Sequence, residues 1–206
     1  MIGILALQGA FAEHEKILQS LGQRTVLVKA PSQLEAIDGL VIPGGESTAI
    51  SLLIDKYCLK EPLKKFIDNH PVLATCAGLI LLAKEVKDGQ ACLPVLDISV
   101  RRNAFGRQVD SFEENLDIPL LGEKPFPAVF IRAPWIEKAG KEVEVLATFG
   151  QFPGKLAEEK IVAVKQGRII ALAFHPELTK DYRIHSVFLD MIKTKDTNRS
   201  PLDSRN

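Results

Sequence analysis

Cys76 stands in Ala74-Thr75-Cys76-Ala77-Gly78, between a short apolar run at residues 71–74 and a helical stretch at 79–86. A cysteine at a strand-to-helix junction with small neighbours has the make-up of a nucleophile elbow, which needs close backbone approach and turns the nucleophile outward. The N-terminus of the following helix favours negative charge on the sulfur, because aligned peptide dipoles and unpaired N–H groups face it. Cysteine is also commonly just a small buried hydrophobe, so position alone leaves both readings open. His175 ends another apolar run and is followed by Pro176 and Glu177. An imidazole with a carboxylate two residues on supplies what thiol chemistry needs: a proton carrier and a group that holds its tautomer and stabilises its cation. A lone histidine at a strand end is usually structural, but beside an elbow cysteine at a second strand end the catalytic reading leads. His14, His70 and His185 read as surface residues, and Cys58 and Cys92 as structural. No His pair has metal-binding helical spacing, and the cysteine spacings suit neither a disulfide framework nor a zinc site.

A third candidate is the turn Pro43-Gly44-Gly45-Glu46-Ser47, again between a strand and a helix. Its unpaired backbone N–H groups can face a developing oxyanion, with the Ala77 amide as the other donor. The plainer alternative is a helix-capping turn with Ser47 as the cap. Phosphate-binding glycine patterns of the P-loop and dinucleotide types are absent.

The elements that must position these groups alternate. Residues 2–7, 25–28, 39–42 and 71–74 read as short strands, and 11–21, 47–57, 61–69 and 79–86 as helices. Apolar strands alternating with helices of this length imply right-handed crossovers and a mainly parallel sheet covered on both faces. The second half changes texture: 95–101, 128–131, 143–149, 161–165 and 169–174 are strand candidates with few helices between them, which predicts a mixed or antiparallel extension. Gly167 marks a hairpin turn between the last two. Residues 181–193 form a closing amphipathic helix, and 194–206 a flexible polar tail. The expected architecture is an α/β open three-layer sandwich, one domain over 1–193. In such sheets ligands collect outside the carboxyl ends of the strands, where residues 8–9, 43–47, 75–78 and 175–177 all fall.

The 206 residues are enough for one sizeable core, and 46% hydrophobic with 25% charged residues is ordinary for a folded chain. Lys plus Arg equals Asp plus Glu at 26 each, so no global field favours nucleic acid or anionic lipid. No apolar run reaches the roughly 18 residues of a spanning helix, and the start lacks the basic flank of a signal peptide. The expectation is a cytoplasmic protein with no nucleic-acid or membrane partner.

ALQG at 6–9, IPGGEST at 42–48, TCAGL at 75–79, RNAFGRQ at 102–108, IRAP at 131–134 and FHPEL at 174–178 together resemble the glutaminase subunits of pyridoxal 5′-phosphate synthase, within the class I (triad) glutamine amidotransferases. The resemblance runs from about residue 2 to 193. It implies hydrolysis of L-glutamine to glutamate and ammonia through a glutamyl thioester on Cys76, with His175 as general acid and base and Glu177 orienting it. It implies that Gly45 and Ala77 supply the oxyanion N–H groups, and that Gly45, Glu46, Ser47, Arg102, Ile131 and Arg132 contact glutamine. No cofactor or metal is implied. Ammonia would pass to a separate (β/α)₈-barrel synthase subunit for vitamin B6 biosynthesis, with Gln8 in the region that partner touches. A histidine-pathway glutaminase, or a catalytically silent module of the same fold, are the alternatives; RNAFGRQ, IRAP and the intact triad speak against them. A peptide-cleaving cysteine hydrolase would leave the Gly-Gly-Glu-Ser turn unexplained. Three departures from the family pattern stand out: Ala74 in place of a glycine, tolerable only at negative φ; Trp135 after IRAP; and a long stretch at 150–160, read as a surface excursion.

Overall fold

Strands that are apolar at every position need cover on both faces, and four such segments lie side by side at the centre of the computed structural model. The structure describes residues 1–87, 89–102, 111–152 and 155–197, without the side chains of 151, 152, 155–158 and 195–197. The first half runs β1 (Ile2–Leu5), α1 (Phe11–Ser20), β2 (Thr25–Val28), β3 (Gly39–Ile42), α2 (Ser47–Lys56), α3 (Lys60–Ile67), β4 (Val72–Thr75) and α4 (Ala77–Leu82). The second half runs β5 (Ala83–Lys87), β6 (Leu96–Arg101), β7 (Ser111–Leu116), β8 (Phe126–Ile131), β9 (Trp135–Ala139), β10 (Glu144–Phe152), β11 (Lys155–Gln166), β12 (Ile169–Leu172) and α5 (Arg183–Thr197).

The main sheet has the order β2-β1-β3-β4-β12-β11-β9-β6-β5, with β10 joined to β11. From β2 to β12 every neighbouring pair is parallel. Beyond β12 the pairings through β11, β9 and β6 are antiparallel, and β5 rejoins parallel to β6. This is the mainly parallel, three-layer α/β architecture the sequence predicts, with its mixed extension. Alternation along the strands divides the core in two. Leu40, Ile42, Val72 and Ala74 pack with Ile50, Ile54, Leu63 and Leu79 of α2, α3 and α4. Val41 and Leu73 point the other way, into Leu18 of α1, Phe188 of α5, and Phe126 and Phe130 of β8. β8 pairs with β7 in a small antiparallel sheet on that second face. Gly167, at φ 56, closes the two-residue turn joining β11 and β12.

Several local expectations are corrected. The helix expected to reach residue 86 stops at Leu82, and Ala83 turns extended at ψ 139. Ala83 and Val86 are buried while Lys84 and Glu85 are exposed, an arrangement that suits β5 against β6. β7 and β9 lie outside the predicted strands because each buries a single residue, Leu116 and Ile136, too few to show alternation. The 150–160 stretch contains a continuation of the β10–β11 ladder, pairing Gln151 with Leu156 and Phe152 with Lys155. α5 extends to Thr197, four residues past its expected end, and the rest of the tail lies outside the described residues.

Register decides where the candidate groups meet. Ile42 is opposite Ala74, and Leu172 is opposite Thr75, so the carboxyl ends of β3, β4 and β12 stand level and adjacent. β1 lies between β2 and β3, so strand order reverses there, and the crevice at such a switch point opens beside the turns after β1 and β3.

Candidate active site

Cys76 follows directly on β4 and precedes α4, with φ 47 and ψ −101. A non-glycine residue in that region carries roughly 1–3 kcal/mol of strain, held in place by its surroundings. Here the Cys76 amide donates to the Leu172 carbonyl at 2.8 Å, and two positions on Gly78 presses against β3. A Cβ on Gly78 would lie 2.2 Å from the Ile42 carbonyl oxygen, so glycine is required for α4 to approach the sheet this closely. Ala74 lies in the regular β4 ladder and is not among the positive-φ residues, so the missing glycine there is accommodated.

His175 and Glu177 are brought to Cys76 by the segment after β12. The His175 amide donates to the Val129 carbonyl of β8 at 2.8 Å, and a single 3₁₀ turn, Pro176–Leu178, folds Glu177 back. His175 Nδ1 lies 2.7 Å from Glu177 Oε1, and the neighbouring Cys76 acts electrostatically on the ring. Burial disfavours the His175 cation, but Cys76 and Glu177 outweigh it and push the imidazole up to about 10. Burial likewise disfavours the Glu177 carboxylate, yet His14 and His175 hold it well below the ordinary carboxyl range. Each partner thus stabilises the charge of the other in a nearly dry site.

The turn after β3 lies over this pair. A Cβ on Gly44 would sit 2.5 Å from His175 Cε1 and 3.3 Å from Cys76 Cβ, so the backbone there rests directly on both side chains. The Gly44 amide donates to Thr75 Oγ1 at 3.0 Å, and its carbonyl accepts from the Ala10 amide at 3.0 Å. Because a trans peptide points its C=O and N–H oppositely, the Gly45 N–H faces away from Ala10. The Ala77 amide opens α4 and has no carbonyl partner within its own helix. Gln8 Oε1 accepts from the Glu46 amide at 2.7 Å, tying the turn after β1 to the turn after β3.

Glu46, rather than Ser47, caps α2. Its carboxylate accepts from the Thr48 and Ala49 amides at 3.0 and 2.6 Å, while Ser47 is already the first, buried helical residue. A carboxylate reaches both amides at once where a serine hydroxyl reaches one. Partial burial opposes the Glu46 charge, but these amides and Arg102 lower its carboxyl. Arg102 Nη2 is 3.3 Å from Glu46 Oε1, so these two predicted substrate contacts are adjacent. Ile131 ends β8 and is exposed; Arg132 follows at φ 43, two and three residues beyond the carbonyl that holds His175. Trp135 opens β9, with Lys160 Nζ 5.3 Å from its ring centroid. Residues 103–108 of RNAFGRQ lie outside the described residues.

His14 and His185 are not surface residues: both are completely buried. His14 Nε2 lies 3.3 Å from Glu177 Oε2, placing it directly behind the candidate triad. The signal was present, since His14 shares a helical stripe with Ile17, Leu18 and Leu21 at i+3, i+4 and i+7. His70 is half-buried and stacks on Phe66. Cys92 is buried, which pushes its thiol up against the smaller opposing influence of Ser51. Cys58 is exposed, so its reading as a structural thiol concerns the backbone rather than the core.

Residues 4–194 match the model of the SNO glutamine amidotransferase family. A protein of Pelotomaculum thermopropionicum named pyridoxal 5′-phosphate synthase subunit PdxT is 59% identical over 191 residues, covering 92% of this chain and 93% of the relative. One of the same name from Thermotoga maritima is 50% identical over 194 residues, covering 93% and 99%. A crystal structure of a glutamine amidotransferase superposes with a TM-score of 0.84 at 43% identity, over 93% of this chain and 98% of that one. A glutaminase domain from Trypanosoma brucei, 12% identical at a TM-score of 0.58 and covering 94% and 93%, shares the fold. A match running from β1 into α5, over the strands whose ends carry Cys76, His175 and Glu177, makes the chain a member of the SNO glutamine amidotransferase family.

Proposed function

We propose that this chain is the glutaminase of a two-protein pyridoxal 5′-phosphate synthase, hydrolysing L-glutamine to glutamate and ammonia. The observation that carries the reading is the positive-φ Cys76, packed under the same Gly44 backbone as a His175 whose Nδ1 is held by Glu177. Cys76 sulfur attacks the side-chain amide carbon, and the oxygen of the tetrahedral adduct takes its negative charge towards the Gly45 and Ala77 amides. His175 gives its proton to the departing nitrogen, the C–N bond breaks, and ammonia leaves a glutamyl thioester on Cys76. His175 then takes a proton from water, whose oxygen attacks the thioester; the C–S bond breaks and glutamate is released. Glu177 keeps Nδ1 protonated throughout, so that Nε2 is the working nitrogen.

Glu46, Ser47, Arg102, Ile131 and Arg132 form the glutamine site in this reading, since their loops leave β3, β6 and β8 around the Cys–His pair. Arg suits the substrate's α-carboxylate because its planar fork binds two oxygens. The partner is a (β/α)₈-barrel synthase subunit that receives the ammonia, and Gln8, which grips the Glu46 amide, couples its docking to the turn over Cys76. The names of the relatives support this assignment over a histidine-pathway role. The three unpaired thiols suit a reducing, cytoplasmic setting.

Mixing tests the reading. Glutamine hydrolysis is expected to rise sharply when a pyridoxal phosphate synthase subunit is added, and a glutamine-analogue diazo-ketone to label Cys76 while sparing Cys58 and Cys92. Unchanged turnover would refute the partnership, and labelling that persists in Cys76→Ala would refute the nucleophile.

A further inference from the structure

Behind the Cys76–His175–Glu177 line runs a second buried polar chain that the reaction scheme does not use. His14 comes from the first turn of α1 and His185 from the first turn of α5, both on the face of the sheet opposite α4. His14 Nδ1 lies 3.0 Å from His185 Nε2. His14 Nε2 lies 3.3 Å from Thr75 Oγ1 and 3.3 Å from Glu177 Oε2. Thr75 Oγ1 in turn accepts the Gly44 N–H, the amide of the turn that rests on His175 and Cys76. The helix that carries His14 is also fixed to that turn directly, through the Ala10 amide and the Gly44 carbonyl.

Chemistry assigns the protons along this chain. A bare nitrogen lone pair facing an ionised carboxylate at 3.3 Å would be repelled, so His14 carries a proton on Nε2. His14 Nδ1 and His185 Nε2 share one proton across their 3.0 Å contact. His185 is neutral, because burial and the neighbouring His14 push it down to about 3 against the smaller opposing effect of Glu177. The charged and titratable groups around His14 are therefore Glu177, His185 and, beyond the carboxylate, His175.

We propose that His14 is a positioning residue for glutamine hydrolysis, its Nε2–H setting both the second oxygen of Glu177 and, through Thr75, the Gly44 amide over Cys76. The proposal rests on the glutaminase reading above. A carboxylate bonded by one oxygen can rotate about its terminal torsion, carrying His175 with it. The His14 imidazole, 3.3 Å from the second oxygen, opposes that rotation as a polar neighbour, although that oxygen accepts no hydrogen bond of its own. Through the same imidazole the carboxylate side and the oxyanion side of the site are set together. His185 holds the other ring nitrogen of His14 in place.

The decisive pair of variants is His14→Gln and His14→Asn in the full chain, assayed with the synthase subunit present. The Gln amide N–H reaches the place of Nε2, whereas the Asn amide reaches only that of Nδ1. His14→Asn is expected to lower kcat about 10- to 100-fold with KM within about two-fold, as is usual when an imidazole's outer partner is lost. The acid limb of Cys76 alkylation by the diazo-ketone should move to higher pH, because a loosened Glu177 stabilises the imidazolium less. His14→Gln should recover most of both. Equal kcat and equal alkylation profiles in the two variants would overturn the proposal, whether both match the unmodified chain or both fall. An unmodified complex that fails to hydrolyse glutamine would instead overturn the glutaminase reading and this inference with it.

Discussion

Two cysteines share a positive φ, Cys58 at 53° and Cys76 at 47°, yet they do opposite work. Cys58 stops a helix. Its amide donates to the Asp55 carbonyl and the Leu59 amide to the Ile54 carbonyl, the paired bonds of a Schellman end, with Leu59 and Ile54 both buried beneath. α1 ends in the same way, Gly22 at φ 75 donating to Gln19 and Gln23 to Leu18. Cys58 is thus a cysteine in a glycine's place, its strain a by-product of ending α2. Cys76 starts a helix. Its amide is tied to β12, and the Gly44 backbone closes over both its side chain and His175. Positive-φ strain by itself therefore says little about reactivity; what the strained residue is made to face decides.

The largest expected effect separates the two thiols by chemistry. Cys76→Ala should lower glutamine turnover in the complex by about 10⁴-fold or more, the scale of losing a nucleophile. Cys58→Ala should leave turnover within about two-fold, and a steady-state ammonia assay on both variants checks the contrast. A smaller effect appears in pH-dependent stability. The His175 cation is favoured in the folded chain, so its stabilisation is complete below the ordinary 6.5 and is lost as pH rises towards about 10. Glu177 works in the opposite sense: its lowered carboxyl stabilises the fold above the ordinary 4.5, and that contribution is lost as pH falls through its folded value. Denaturant unfolding should therefore show the gap between the unmodified chain and His175→Gln shrinking from pH 6.5 to 10. The same titration of Cys58→Ala should show no such closing gap. The smallest effect tests the backbone alone. Relief of left-handed strain in Cys58→Gly is worth about 1–2 kcal/mol, against about 0.5–1 kcal/mol lost to the freer unfolded chain. Strain relief wins, and Tm should rise by about 1–4 °C, measured calorimetrically.

The site was legible in the sequence where its chemistry is local. An elbow needs small residues at fixed offsets from its nucleophile, and Ala77 and Gly78 show them; Gly78 is required because a Cβ would strike the Ile42 carbonyl. The parallel half of the sheet was legible because β1, β3, β4 and β12 are apolar throughout. β7 and β9 were not, since strands that bury one residue each carry no readable period. The cap of α2 was not legible, because Ser47 fits a local preference, whereas Glu46 makes two amide bonds once the helix exists.

By itself, then, the order of residues determined which sulfur, imidazole and carboxylate stand at strand ends, because turn, strand and helix preferences act over a few neighbours. Only the tertiary structure decided what stands behind them. A histidine on an apolar stripe has the same local pattern whether its ring meets solvent or a carboxylate. His14 became a partner of Glu177 because α1 and α5 pack on one face of the sheet beneath the end of β4, a meeting of residues 14, 75, 177 and 185 that no short-range preference encodes.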